Sequence, residues 1–250
     1  MFFFIKPSVI HLDCFTQDAR VHKYYPIAKS TNFYPEWWKN LPKTYKNEHR
    51  WFGNATMKTC PGFIDYYTNS ISIPMWSDWI IDVLGKNQGY RWQFADSKTE
   101  VTHHDEQQFK NFIDTTDYAH IKIASPWRVK AKKSLKWVWT YPVWNYNIPD
   151  DILVLPAVIN FRYTYGTDIN ILINMSRAKK IFINEGVPLV NLIPMTDKRI
   201  KIHNHLVSTT EYTKIAYVEN LEARLFGRHR KNIKDIDRQD ARCPFGFGKK

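Results

Sequence analysis

The chain has 250 residues, and its 36 Lys and Arg against 24 Asp and Glu give a formal net charge of +12 at neutral pH. Hydrophobic residues make up 44% of the sequence and aromatic residues 16%, which excludes a disordered chain and predicts one large globular domain with a basic exterior. That exterior indicates either an anionic partner or simple solubility.

The first part of the chain is predicted to form a strand followed by a short helix. Residues 2–15 alternate loosely between apolar and polar positions, and Lys6 and Pro7 interrupt the apolar start too early for a signal peptide. Residues 35–39 are typical of a short helix with Pro35 at its first position. No stretch is long and apolar enough to predict a membrane span.

The next segments predict a broken strand, a hairpin and one short helix. Residues 72–83 read as a strand interrupted at Pro74, because proline cannot donate to a central ladder. The turn at residues 87–89 predicts a hairpin. Residues 104–113 are polar with a narrow apolar stripe and predict a helix inserted between strands.

From residue 121 onwards the chain is strongly β, ending in a helix predicted over residues 211–226. The predicted strands are 137–141, 153–163, 168–174, 180–184 and 187–193. The fold is therefore predicted to be mainly β, a distorted antiparallel sandwich or barrel with a few short peripheral helices. Residues 1–226 are expected to form a single β-rich domain, and residues 227–250 a basic C-terminal tail.

Two histidines near the end of the chain are the best metal candidate. His203 and His205 are two residues apart, so on a strand both imidazoles share one face. His11 and Asp13 have the spacing of half of a two-histidine-one-carboxylate site, but nearly the whole chain separates them from His203. The alternative is a pair of surface histidines in a basic strand, and the sequence identifies no cofactor.

A lysine-rich segment and the tail are candidates for contact with nucleic acid or with a partner. Cations interleaved with aromatic rings are what a single-stranded nucleic acid groove needs, and this segment carries Trp127, Trp137 and Trp139. The alternative is a hairpin with soluble lysines outside and its rings in the core. The candidate contact residues are Lys122, Arg128, Lys130, Lys132, Lys133, Lys136, Arg228, Arg230 and Lys231.

Motifs of several enzyme classes are missing from the sequence. The chain has no P-loop and no H-E-x-x-H pattern, which excludes P-loop nucleotide hydrolysis as a working hypothesis. Its cysteines, Cys14, Cys60 and Cys243, form no C-x-x-C pair, which argues against a disulfide framework and a cysteine zinc site.

Four segments of the chain resemble an uncharacterised family of T4-like marine tailed phages, with distant bacterial relatives. These are residues 35–42 (PEWWKNLP), 56–65 (TMKTCPGFID), 73–78 (IPMWSD) and 185–194 (EGVPLVNLIP). The resemblance covers most of the chain up to about residue 200. It implies a phage origin and a shared fold, but no activity.

We therefore expect a phage protein that acts by contact, as a virion-associated structural or interaction protein in the particle or in the host cytoplasm. Its partners are expected to be proteins of the particle or the host. Nucleic acid and self-association are possible, and a membrane is not expected. The alternatives are a metal-dependent barrel enzyme of the non-haem iron type and a nucleic-acid-binding protein.

Overall fold

The computed structural model describes residues 9–46, 53–96, 98–145 and 151–224, apart from the side chains of residues 106 and 217–224. These residues form several antiparallel sheets with short helices, a sandwich-like arrangement that confirms the predicted mainly β fold. Within this part of the chain, no helix has the length and hydropathy needed to cross a bilayer.

The strands are short and follow one another closely along the chain. They are β1 (Ile10–Thr16), β2 (Ala28–Lys29), β3 (Thr44–Tyr45), β4 (Asn54–Ala55), β5 (Ile71–Pro74), β6 (Trp79–Gly85), β7 (Gly89–Phe94), β8 (Val101–His103), β9 (Tyr118–Ile123), β10 (Arg128–Ala131), β11 (Trp137–Thr140), β12 (Ile152–Val154), β13 (Ala157–Ile159), β14 (Ile169–Asn174), β15 (Lys179–Ile183), β16 (Pro188–Pro194) and β17 (Ile200–Leu206). The α-helices are α1 (Ala19–Tyr24), α2 (Glu36–Asn40), α3 (Pro61–Asn69) and α4 (Thr209–Arg224).

The strands assemble into sheets of two to five members. The largest has the order β13-β11-β16-β5-β2, and a four-stranded sheet has the order β12-β14-β9-β8. Two three-stranded sheets have the orders β10-β1-β17 and β15-β6-β7, and β3 pairs with β4. The named pairs are antiparallel except β1 with β17, which run parallel although they lie near opposite ends of the sequence.

Alternating burial along the strands builds the core, as the sequence pattern predicts. In β6 the side chains of Trp79, Ile81 and Val83 are buried, while the intervening ones are half-buried. The core is rich in large rings, and burying each stabilises the fold by about 1.5–3 kcal/mol. The largest fully buried side chains include Trp76, Trp79, Trp127 and Trp137.

The predicted hairpin is confirmed as the connection between β6 and β7. Asn87 and Gly89 have φ angles of 62° and 77°, in the left-handed region that such turns require. The interruption at Pro74 is also confirmed, because β5 ends at that residue and β6 begins at Trp79. Proline at the first helical turn is found in α3, which begins at Pro61, whereas Pro35 caps α2 from outside.

The helix predicted over residues 104–113 is wrong. The structure has only a 3₁₀ turn at Glu106–Phe109, and the φ angle of 66° at Asn111 turns the chain out of helical geometry. Phe112 of the supposed apolar stripe is exposed, so no packing stabilises a longer helix. Residues 1–8 of the first predicted region and the tail at 227–250 lie outside the described residues.

Candidate functional site

Strand β1 lies at the centre of a three-stranded sheet with one buried side and one outward side. Leu12 and Cys14 are fully buried in the core, whereas His11, Asp13 and Phe15 project to the opposite side. Burial raises the pKa of the Cys14 thiol, and the charge of Asp13 adds to the effect. The alternation therefore places an inert thiol beneath a row of polar and aromatic groups.

The neighbouring strands add basic groups to the same outward side. In the parallel pair, His11 is the register partner of Lys201, Asp13 of His203, and Phe15 of His205. In the antiparallel pair, Asp13 is the partner of Lys130 and Phe15 that of Arg128. We call this surface the basic face, and it consists of His11, Asp13, Phe15, Arg128, Lys130, Lys132, Lys133, Lys201, His203 and His205.

Two diagonal hydrogen bonds connect the side chains of β1 with those of β17. Nδ1 of His11 lies 2.9 Å from Nε2 of His203. Nε2 of His205 lies 2.9 Å from Oδ1 of Asp13. Residues that are nearly two hundred positions apart thus form one connected group, because the strands that carry them are adjacent.

The rings of this group lie nearly parallel to one another. The centroids of His11 and His203 are 5.1 Å apart with an interplanar angle of 9°, and those of His203 and His205 are 6.3 Å apart. Phe15 stacks on His205 at 5.0 Å. The 2.9 Å contact between ring nitrogens joins His11 and His203 edge to edge, whereas the face of Phe15 lies against His205.

The charge of the basic face is strongly one-sided. Lys130, Lys132, Lys133 and Lys201 are exposed, and Asp13 is the one carboxylate that the described residues contribute to the face. In the same part of the chain, no ion pair involves any of the four lysines. The ammonium group of Lys130 instead lies 5.4 Å from the centre of the Tyr165 ring.

A pocket of about 370 Å³ opens between the end of β10 and the histidines. It is lined by His11, Asp13, Lys132, Lys133 and His203, together with Val9. Two ammonium groups and two imidazoles therefore surround a space in which the one carboxylate, Asp13, already accepts a hydrogen bond from His205.

The structure confirms that His203 and His205 share one face of a strand, but it turns them towards different partners. His203 contacts His11, and His205 contacts Asp13. Across the described ranges, no group of three or more His, Cys, Asp or Glu side chains is placed to hold a metal ion. Chelation of one ion by these two histidines stays a prediction without a third ligand.

The lysine-rich segment divides between two surfaces. Lys130, Lys132 and Lys133 belong to the basic face, but Lys122 lies on β9, 3.8 Å from the Asp168 carboxylate. The guanidinium group of Arg128, on the edge of the face, lies 3.5 Å from the same carboxylate. Asp168 therefore partly neutralises the positive charge of two predicted contact residues, Lys122 and Arg128.

Lys136 is exposed immediately before β11, which belongs to the five-stranded sheet and not to the sheet that carries the basic face. Arg228, Arg230 and Lys231 lie outside the described residues. The indoles of Trp127, Trp137 and Trp139 are buried at 0%, 0% and 2% exposure. The interpretation of these rings as stacking platforms for bases is therefore wrong, because alternation along β11 turns Trp137 and Trp139 into the core, and Trp127, immediately before β10, is buried as well.

A larger groove of about 500 Å³ lies beside α1 and the start of α4. Two of its three acids have structural partners: Asp18 accepts backbone N–H groups at the start of α1, and Asp96 accepts those of Lys98 and Thr99. The side chain of Thr99 in turn accepts the indole N–H of Trp76. These bonds organise a loop, and the groove does not concentrate one charge as the basic face does.

Comparisons with protein-family models, with curated proteins and with solved structures give no match for this chain. The geometry of the basic face is therefore the feature of the molecule that indicates a function. Sequence reasoning missed Phe15 and Lys201, and it separated His11 and Asp13 from the later histidines. The available signal was that the His-x-Asp and His-x-His pairs both have the i, i+2 spacing that places two side chains on one face of a strand.

Proposed function

We propose that this protein acts by contact, as a structural or interaction protein, and that the basic face docks on an acidic partner protein. The observation that carries the proposal is the concentration of four exposed lysines and three histidines around Asp13 on one side of a sheet. Such a field steers an oppositely charged partner and fixes its register. The resemblance to a phage family supports a phage particle as the assembly.

An acidic protein suits this face better than a single-stranded nucleic acid. Binding of single strands depends on free aromatic rings on which bases stack, as well as on cations. Trp127, Trp137 and Trp139 are buried, and Phe15 is already stacked on His205. What the face offers is charge, which matches clustered Asp and Glu side chains.

Poly-L-glutamate is the probe that tests the proposal, with a single-stranded oligothymidylate in parallel. The changed variant carries Lys130→Glu, Lys132→Glu and Lys201→Glu, all on the basic face. The control carries Lys43→Glu, Lys110→Glu and Lys180→Glu, which are exposed elsewhere and change the net charge equally. We expect wild type and control to bind poly-L-glutamate with an affinity that falls steeply with salt.

The basic-face variant should bind poly-L-glutamate at least about tenfold more weakly than the control, because removing or reversing charges at a docking surface reduces the affinity by about that factor or more. Equal losses in the two variants would show that only net charge matters and would contradict the proposal. Tighter binding of oligothymidylate than of poly-L-glutamate would favour the nucleic-acid alternative. Mass spectrometry of purified phage particles tests the virion assignment, and absence of the chain from the particles would remove it.

A further inference from the structure

We infer that the pocket between His11, His203, Lys132 and Lys133 is a binding site for one oxyanion group, a carboxylate or a phosphate-like group, and that the pair of histidines takes up a proton when the anion binds. As the anchor point for the acidic partner, the site rests on the proposed function. As a site for a small oxyanion, it can be tested separately.

The lining of the pocket fits an oxyanion in charge and in hydrogen bonding. Each lysine supplies an ammonium group with three N–H donors, and imidazole supplies directional N–H groups. The pocket volume of about 370 Å³ accommodates such a group with its first waters. Charge-assisted hydrogen bonds from these donors are shorter and stronger than neutral ones.

The same lining disfavours a divalent cation. His11 and His203 bring two nitrogens within 2.9 Å of each other, which by itself resembles a chelating pair. However, Lys132 and Lys133 line the same space, and their positive charges repel a metal ion. Asp13, the carboxylate that could offset them, is bonded to His205. The balance of charge therefore selects an anion.

The contact between His11 and His203 makes anion binding depend on protons. A hydrogen bond between two ring nitrogens holds one hydrogen, so one ring donates and the other accepts through a bare lone pair. If both rings were charged, two N–H donors would face each other. An oxyanion beside the pair accepts the second N–H and removes that conflict.

The charged groups around the pair also favour an anion. Every charged group that faces the two histidines, apart from one acid, is a base, so the surroundings of the pair attract an anion. Imidazole is in general the side chain whose charge changes between about pH 5 and pH 8, so anion binding is to be measured across that range. The facing groups are Asp13 on β1, Lys201 and His205 on β17, Lys130 on β10, and Lys132 and Lys133 directly after it.

Sulfate and glutarate are the two probes, because sulfate imitates a phosphate group without titrating near neutrality and glutarate presents carboxylates. Imidazole NMR signals of His11 and His203 report binding, with chloride keeping the ionic strength constant. Calorimetry in two buffers of different ionisation heat counts the protons. We expect binding of at least one probe, with an affinity that weakens as the pH rises, by up to about tenfold per pH unit if one proton is taken up with each anion.

Two variants separate the charge of the pocket from its protons. Lys132→Ala with Lys133→Ala should weaken binding of the probe by about tenfold or more. His11→Gln with His203→Gln keeps hydrogen-bonding side chains that cannot be charged, so this variant should retain weak binding while losing the pH dependence. His103→Gln is the matched control, because His103 is exposed on β8 and outside the basic face.

Three results would overturn the inference: unchanged His11 and His203 signals with both probes, wild-type affinity independent of pH, or full binding by the double lysine variant. The two proposals fail separately. Sulfate binding with proton uptake but no poly-L-glutamate binding would remove the docking function and keep the oxyanion site. Salt-dependent binding of poly-L-glutamate without binding of sulfate or glutarate would keep the docking function and remove the oxyanion site.

Discussion

A buried chain of hydrogen bonds joins α3 and a 3₁₀ turn to the largest sheet. Ser72 on β5 donates to Oδ1 of Asn191 on β16 at 2.6 Å, and Nδ2 of Asn191 donates to the Tyr66 hydroxyl at 2.8 Å. The hydroxyl of Ser30 lies 2.7 Å from that of Ser72. Because the Ser72 hydrogen is already used, Ser30 must be the donor in this bond. Ser30, Ser72 and Asn191 are fully buried, so water cannot replace a lost partner.

The change Ser72→Ala should therefore destabilise the protein by about 3 kcal/mol. It leaves Ser30 without an acceptor and Oδ1 of Asn191 without a donor, and each unsatisfied buried group costs about 1–3 kcal/mol. Ser30→Ala should cost only about 1 kcal/mol, because Ser72 keeps its bond to Asn191. In the double variant the Ser30 hydroxyl is absent and needs no acceptor. The double variant should therefore lose about 1 kcal/mol less stability than the sum of the two single variants.

Urea unfolding followed by tryptophan fluorescence measures these differences, because the core contains several buried indoles. With a slope of about 3 kcal/mol per molar urea for a chain of this size, Ser72→Ala should lower the midpoint by about 1 M. Thr68→Ala is the control, since its exposed hydroxyl bonds back to Ile64 on the same helix and should change stability by less than about 0.5 kcal/mol. The assignment of Ser30 as donor to Ser72, and of Ser72 as donor to Asn191, would be refuted by either of two results. One is a loss of unfolding free energy in Ser72→Ala no larger than in the control, and the other is a double serine variant whose loss equals the sum of the two single losses.

Three further predictions concern the core and its titratable groups. Trp139→Ala should cost about 3–5 kcal/mol, and a melting temperature within one degree of wild type would contradict its buried position. Cys14 should react with a thiol reagent only after unfolding, because burial raises its pKa, whereas labelling of the native protein at Cys14 as fast as at the half-buried Cys60 would disagree. Burial, and secondarily the charge of His104, lowers the pKa of His120. The stabilisation that comes from keeping His120 neutral should be complete above the unfolded-state pKa of about 6.5 and should decline as the pH falls towards the lower folded-state pKa. The urea midpoint should therefore fall less with decreasing pH in His120→Phe than in wild type. An equal fall in both proteins would count against burial of His120 as the cause.

Local signals were sufficient for much of the fold. The turn before Gly89 carries residues that tolerate positive φ, and Pro61 suits a first helical turn, so the hairpin and α3 could be predicted within a few residues. The strand predicted over residues 137–141 indicated buried positions as well. It also weakened the nucleic-acid hypothesis, because alternation along that strand directs Trp137 and Trp139 inwards.

The candidate site could be predicted only in halves. His11 with Asp13, and His203 with His205, each show the i, i+2 spacing that places two side chains on one face of a strand. Neither segment contains a sequence signal that specifies the strand with which it pairs. The parallel pairing of β1 with β17 joins residues 192 positions apart, and such a contact depends on the packing of the whole domain.

The core side of the sheet determines the geometry of the outward side. Leu12 of β1 pairs with Ile202 of β17, and Ile10 with Ile200, so apolar side chains from both strands meet beneath the histidines. A shift of the pairing by one residue would turn Ile200 and Ile202 outwards and drive His203 into the core. The cost of exposing those apolar groups and burying an imidazole holds the register. The closeness of His203 to His11 is therefore a consequence of hydrophobic packing, and the oxyanion site requires no stabilising interaction of its own before an anion binds.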